Sequence, residues 1–286
     1  MATIGFREKL SNEMATYTLL NNVLSSLDRK NFIGGLFCDL QKAFDCVNHN
    51  ILLAKMEFYG ISGIVNKLMR SYLENRHQRV TMKDIKLNKV SSKWEHVKHG
   101  VPQGSVLGLL LFLIYINDFL LTVRKIANPI LFADDTSIII SNTSPEEFKS
   151  NISLVLIETF NWFQSNLLTL NCDKTHFLQF VTKKCSEINM QIISSNTVIT
   201  NINSTKFLGL IIDSTLSWKD HITRLRLKLN KACYAIRAIK PFMSLDVMKI
   251  IYYSYVHSVI SYGIIFLGNS HLTSHLKIAY NKEPTT

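Results

Sequence analysis

The sequence predicts an α+β fold in which an antiparallel sheet carries helices on one face. Three observations predict it. Apolar residues recur at spacings of three and four over residues 8–27 and 221–239, the period of an amphipathic helix. Short β-rich runs lie between these helices, above all residues 32–40 and 129–140. Helices and strands interleave without the regular alternation that builds a parallel sheet.

Each element follows from local pattern. Residues 8–27 read as a helix on Leu10, Met14, Tyr17, Leu20 and Leu24, ended by Arg29-Lys30-Asn31. Residues 32–40 read as a buried strand with Gly34-Gly35 inside, and residues 41–59 turn helical with an interruption at Asn48-His49-Asn50. Residues 72–101 alternate Val and Ile with Lys, a hairpin pattern. Residues 105–121 form a helix by length. Residues 129–140 form a hairpin whose arms are Ile130-Leu131-Phe132 and Ile138-Ile139-Ile140, with Asp134 and Asp135 at its tip. Ser144-Pro145-Glu146-Glu147 is a helix start, with Ser144 as N-cap, Pro145 in the first turn and Glu147 closing the box; that helix runs to about residue 168. Residues 175–181, 191–199 and 205–212 read as strands, 221–239 as a strongly patterned helix and 244–267 as largely helical.

Composition narrows the function. Hydrophobic residues are 47% of the 286, which excludes a predominantly disordered chain. Lys and Arg number 32 against 21 Asp and Glu, a net charge of +11. That favours a polyanionic partner, nucleic acid or an anionic membrane surface. Two apolar stretches bear on the membrane. Residues 106–116 are too short for a span of ~20 residues, and residues 250–267 carry Ser254, His257, Ser258 and Ser261; both read as buried helices. The start, MATIGFREKL, has no apolar core, so no signal peptide is expected. Cys38, Cys46, Cys172, Cys185 and Cys233 make an odd count with no CxxC pair, which points to reduced thiols. His96 with His99, and His271 with His275, are spaced like ligands but lack Cys or carboxylate partners; no zinc is expected.

The acids carry the chemistry. Asp134-Asp135 alone fits an ordinary surface turn as well as a site. Asp39 ends another apolar strand, Gly35-Leu36-Phe37-Cys38-Asp39. If the two strands are neighbours, three carboxylates converge, and such a group calls for cations. Mg²⁺ prefers carboxylate plus phosphate oxygens, and two such ions ~3.5–4 Å apart serve in-line displacement at phosphorus.

FCDLQKAFDCVNHNILLAKMEFYGI at residues 37–61, GVPQGSVLG at 100–108 and LFADDTSI at 131–138 resemble successive polymerase motifs of non-LTR (LINE-type, jockey-like) retrotransposon reverse transcriptases. SYLENRHQRV, LLFLIYINDF, NCDKTHFLQF, KFLGLIID and SYGIIF continue the resemblance in the same order, so it covers nearly the whole chain. It implies a right-hand polymerase fold: residues 1–213 as palm with an N-terminally truncated fingers portion, and residues 214–286 as a short helical thumb. It implies RNA-directed DNA polymerase activity, with an RNA template, a DNA primer and deoxynucleoside triphosphates as partners. Two Mg²⁺ ions, or Mn²⁺ in their place, would be held by Asp39, Asp134, Asp135 and the carbonyl of Leu40.

By the same resemblance, Phe44 is the gate that excludes a 2′-hydroxyl, Gln103 and Gly104 line the nucleotide pocket, and Lys174 lies near the triphosphate. Phe207, Leu208 and Gly209 form the primer grip. The basic helix that follows, with Arg224, Lys228 and Lys231, tracks the nucleic-acid backbone. The family usually has Pro where Leu109 stands and Trp where Leu267 stands. Those departures keep a second reading open: a truncated or degenerate chain that retains the fold and nucleic-acid binding without copying.

Overall fold

The computed structural model describes residues 11–83, 88–182, 192–194 and 197–267. Helix α1, Asn12–Asp28, is capped by Ser11, whose hydroxyl accepts from the Met14 N–H. It leads into β1, Phe32–Cys38, and then α2, His49–Phe58, and α3, Gly63–Leu73. Asn48 caps α2 with its side chain, so the expected interruption is a helix start. Two short strand pairs follow: β2, His77–Gln78, with β5, Glu95–His96, and β3, Thr81–Lys83, with β4, Lys89–Ser91.

Helices α4, Val106–Ile116, and α5, Phe119–Val123, replace the single helix expected over 105–121. The break falls at Asn117–Asp118, where the Asp118 carboxylate takes the Lys55 ammonium from α2 at 2.6 Å. Lys55 also donates to the Tyr115 carbonyl at 2.7 Å and sits 4.6 Å over the Trp162 ring. Burial pulls the Lys55 pKa down and Asp118 pulls it back up. By length and composition Val106–Val123 is apolar enough to cross a membrane. Here its Leu111, Phe112, Tyr115, Ile116 and Phe119 are core residues.

The acidic hairpin is β6, Asn128–Phe132, and β7, Asp135–Asn142; Ser144 then caps α6, Pro145–Ser165, as the sequence indicates. Strand β8, His176–Phe180, follows. The two remaining strand expectations are hairpins instead: β9, Ile192–Ser194, with β10, Thr197–Asn201, and β11, Ser204–Phe207, with β12, Leu210–Asp213. Leu208 and Gly209 turn the second one with positive φ at both, the backbone a two-residue hairpin needs. The chain then enters α7, Lys219–Ile239, and the short helices α8, Leu245–Tyr252, α9, Ser258–Ser261, and α10, Ile264–Leu267. His271, His275 and Cys185 lie outside the described residues.

The main sheet has six strands in the order β6-β7-β1-β8-β10-β9. β1 pairs antiparallel with both β7 and β8, and only the β10–β8 pair is parallel. Helices cover both faces, not one. Leu36, Ile138, Ile140 and Phe177 pack against α2, α4, α5 and α6. Ile33, Phe37, Ile139, Leu178 and Phe180 pack against α1, α7 and the β11–β12 hairpin. The reason is visible in β1, which has no polar side: every residue from Ile33 to Cys38 is buried. Such runs belong to strands covered on both faces. At Gly34 a Cβ would stand 2.3 Å from the Phe177 ring, so glycine there is what lets β8 lie flat beside β1.

Helix α1 buries a different stripe from the one its sequence suggests. Ala15, Thr16, Leu19, Leu20 and Val23 face the sheet, while Met14, Tyr17 and Leu24 are exposed. Spacing alone admits both stripes, and the smaller side chains permit the closer approach to the flat strands.

Helix α7 is fastened to the sheet side by two polar groups. Burial disfavours the Asp213 carboxylate, but hydrogen bonds from Thr215, Ser217 and Trp218 outweigh it and hold its pKa below the usual range. His221 is buried and accepts from the Ile211 N–H at 3.3 Å, and burial lowers its pKa. Both signs agree, because in acid the unfolded chain binds more protons than the folded one. The His221 contribution is whole above its unfolded value of 6.5 and drains as pH falls below that. The Asp213 contribution is whole above its unfolded value of 3.8 and drains as pH falls through its lower folded value. Thermal midpoints should therefore fall from pH 7 to pH 4, and His221→Asn should flatten the upper half of that profile. Parallel profiles for the two proteins would refute it.

Candidate active site

β1 delivers Asp39 to the end of the sheet beside the β6–β7 turn. The register is Cys38 opposite Thr136 and Phe132 opposite Asp135. One step beyond Cys38, Asp39 therefore faces Asp135, and Ala133 and Asp134 make the turn. Ala133 holds φ at 55°, a left-handed conformation that costs a non-glycine residue about 1–2 kcal/mol. Leu208 is at 44°. These two of the eight non-glycine residues with positive φ among the described residues sit at the tips of the β6–β7 and β11–β12 hairpins that wall the smaller cavity.

Asp39 is anchored through its backbone. Its N–H donates to the Thr175 hydroxyl at 3.3 Å, and its carbonyl accepts from the Asn171 N–H at 2.8 Å. The 171–174 turn also carries Lys174, whose ammonium is 3.7 Å from the Asp39 carboxylate. Both side chains are largely solvated, so this pair contributes little to stability. Burial first, and then the charges of Asp134 and Asp39, push the Asp135 carboxyl above the ordinary carboxylate value, while Lys206 pulls it down. Asp135 still reaches solvent. The surrounding protein crowds its carboxyl without enclosing it.

Two cavities meet at Asp39 and Lys174. One, about 110 Å³, lies between Asp39 and Asp135 on one side and Lys206, Phe207 and Leu208 on the other. The other, about 470 Å³, is bordered by Asp39, Leu40, Gln41, Lys42 and Asn171. Thr136 is among the residues around the smaller cavity, and its buried hydroxyl has no hydrogen-bond partner among the described residues. Burial pushes the neighbouring Cys38 thiol up to about 12, helped by Cys172.

The sequence-predicted residues divide accordingly. Asp39, Asp135, Lys174, Phe207 and Leu208 wall the smaller cavity, and Asp39, Leu40 and Lys174 the larger. Asp134 is exposed at the tip beside them. Gly209 completes the β11–β12 turn, and the Tyr262 hydroxyl donates to the Leu208 carbonyl behind it. Phe44 stacks on Phe112 at 4.6 Å between ring centroids, and neither it nor Gln103 or Gly104 borders the two cavities. The loop of Gln103 is nonetheless tied to Phe44: the Val101 N–H donates to the Phe44 carbonyl and the Gly100 N–H to Val47. Arg224, Lys228 and Lys231 are exposed along one side of α7. Sequence reasoning quoted Lys206, Thr136 and Thr175 inside its motifs but gave them no role. Their signal was adjacency to the acids and the grip, legible only once the strands are paired.

The donors are all oxygens; Lys206 offsets the charge around Asp135, and Lys174 pairs with Asp39. That set fits a hard divalent cation. Among the described residues, no three His, Cys, Asp or Glu side chains are already drawn into one coordination group. The acids are neighbours, not a closed shell.

Residues 5–212 match the reverse transcriptase (RNA-dependent DNA polymerase) family. The chain belongs to that family. This reverse transcriptase is 26% identical over 280 residues to the probable RNA-directed DNA polymerase from transposon BS of Drosophila melanogaster. It is 27% identical over 276 residues to the RNA-directed DNA polymerase from mobile element jockey of Drosophila funebris. Each alignment takes in 92% of this chain, which spans about 30% of the length of those relatives. Both relatives are polymerases of mobile elements, and the α+β fold of this chain is that of a polymerase palm. The structure of telomerase from Candida albicans with a fragment of telomeric RNA overlays 99% of this chain and 45% of its own, with a TM-score of 0.47 and 11% identity.

Gly100 tests how the two halves of the reverse transcriptase site are held together. Its φ is +88° and a Cβ there would stand 2.9 Å from the Asp45 backbone. Gly100→Ala should destabilise the fold by about 2 kcal/mol or more, measured by urea denaturation, whereas Gly60→Ala, with open space around it, should cost less.

Proposed function

We propose that this chain is the RNA-directed DNA polymerase domain of a non-LTR retrotransposon, which adds deoxynucleotides to a primer 3′-hydroxyl on an RNA template. The observation that carries the reading is the meeting of Asp39 with Asp134 and Asp135 at one end of the sheet, opposite the Phe207–Leu208 hairpin. Residues 1–213 contribute the palm and fingers elements, and residues 214–286 the thumb.

Asp39, Asp134, Asp135 and the Leu40 carbonyl would hold two Mg²⁺ ions, for which Mn²⁺ is an alternative. When bound, those ions lower the pKa of the attacking hydroxyl and neutralise the triphosphate. The protein's own share is positioning and charge. Phe207, Leu208 and Gly209 hold the primer end against the smaller cavity. Lys174, between the two cavities, reaches either Asp39 or a phosphate and can pass its proton to departing pyrophosphate. Phe44, stiffened by Phe112, sets the floor under the sugar, with Gln103 and Gly104 on the loop tied to it. Arg224, Lys228 and Lys231 recur at spacings of four and three, so they line one face of α7 and neutralise backbone phosphates without reading sequence.

Purified protein should extend a DNA primer on an RNA template with Mg²⁺, and Asp134→Asn should lower that rate roughly a thousandfold with its circular dichroism unchanged. Equal, negligible incorporation by both would leave the second reading, a fold that binds nucleic acid without copying it. Phe44→Ala should relax discrimination against ribonucleotides by tenfold or more, on the order expected when a steric contact of this size is removed. Unchanged selectivity in single-nucleotide incorporation would remove Phe44 from the pocket.

A further inference from the structure

The strand pairs β2–β5 and β3–β4 form one ribbon, and every residue in them is exposed. Hydrogen bonds between Val80 and Ser92 join the two pairs. Gln78 faces Glu95 and Val80 meets Ser92, so Lys93 and Trp94 together oppose Arg79, a β-bulge. The ribbon's base is stitched to the site, since Gly100 and Val101 bond to Val47 and Phe44.

Alternation gives the ribbon two unlike faces. One carries the cross-strand pairs Gln78 with Glu95, Val80 with Ser92 and Met82 with Val90. The other carries His77 with His96, Arg79 with Trp94, Thr81 with Ser91 and Lys83 with Lys89. The His rings are 5.1 Å apart, the Arg79 guanidinium is 4.6 Å over the Trp94 ring, and the two hydroxyls are 2.9 Å apart. Among the described residues, this second face bears cations and aromatic rings and no acid. Lys83 directly opposite Lys89 is a like-charge pair, which destabilises an isolated ribbon. An anion laid along the face reverses that sign. Trp94 is 59% exposed, although a ring of that size is ordinarily well covered.

We propose that this face of the ribbon binds single-stranded nucleic acid, the unpaired template beside the nucleotide site. From His77 to Lys83 it runs about 20 Å. Lys83, Lys89 and Arg79 take phosphates, and Trp94 offers its ring to an unpaired base. Base–aromatic stacking needs a base free of a duplex, and charge complementarity selects a polyanion over a protein partner. The proposal deepens the polymerase reading, and its test needs no catalysis.

The three tryptophans make the test direct. Trp162 and Trp218 are 9% and 7% exposed, so an external quencher reaches Trp94 first. The full chain, without Mg²⁺ or nucleotides, is titrated with an oligouridylate of about 12 nucleotides while tryptophan emission and iodide quenching are followed. RNA should quench the emission and shield Trp94 from iodide. Trp94→Leu should abolish both effects and weaken binding about tenfold. Lys83→Gln with Lys89→Gln should reduce the slope of log K against log salt by about 1.4. RNA binding that leaves Trp94 emission and iodide access unchanged overturns the proposal. So does a duplex that quenches Trp94 and shields it from iodide as well as the single strand does, or a salt slope unmoved by the lysine pair. Asp134→Asn should quench like wild type, which separates failure of the ribbon from failure of the active site.

Discussion

A strand with no polar face that ends in a carboxylate is the constraint on which the rest depends. β1 is buried from Ile33 to Cys38 and then emerges as Asp39. Burial on both sides requires a layer of helices above and below, which α4, α5 and α6 supply on one face and α1 and α7 on the other. It also locks register, because slipping the pairing by one residue would exchange the two cores. Asp39 therefore cannot drift relative to β7, and the β6–β7 tip is held one step away. The precision of the acids is a property of two hydrophobic cores, not of any bond between the acids.

What those acids do to each other follows from that placement. Carboxylates held together by a rigid sheet cannot relax apart, so the charge is relieved only by protonation or by cations. The upward push on Asp135 is the first response, and the approach of Lys174 and the field of Lys206 are the second. Both lysines are weak counterions, one solvated and one acting at a distance. A divalent ion would satisfy the same oxygens better.

Much of this was legible in the residues. The Asp134-Asp135 hairpin, the Ser144 cap and the apolar run ending at Asp39 are local patterns, and the structure places each as read. The misreadings share one cause. The stripe of α1, the break of α4 from α5 at Asp118, and the splitting of the late strands into hairpins depend on distant partners: the sheet, Lys55 and the α7 side. Periodicity carries no information about those. The resemblance supplied roles for Phe44 and Gln103, but the geometry ties them to the site through Gly100 and Val101 and leaves both outside its two cavities.

On the proposed roles, the ribbon and the β11–β12 grip would handle two nucleic-acid strands differently. The grip is braced from behind: Tyr262 holds the Leu208 carbonyl, Phe207 is buried against Phe37, and Asp213 and His221 anchor the helix that follows. A primer end must be placed to within a fraction of an ångström for in-line attack, and rigidity there serves chemistry. The ribbon is rooted around Gly100, and the residues of its four strands are exposed. A template entering from solution needs a surface that tolerates many sequences and conformations, which cation and ring contacts provide without exact fit. Bracing at Leu208 and exposure at Trp94 are thus what a held primer end and a passing template would each require, on the roles proposed for them.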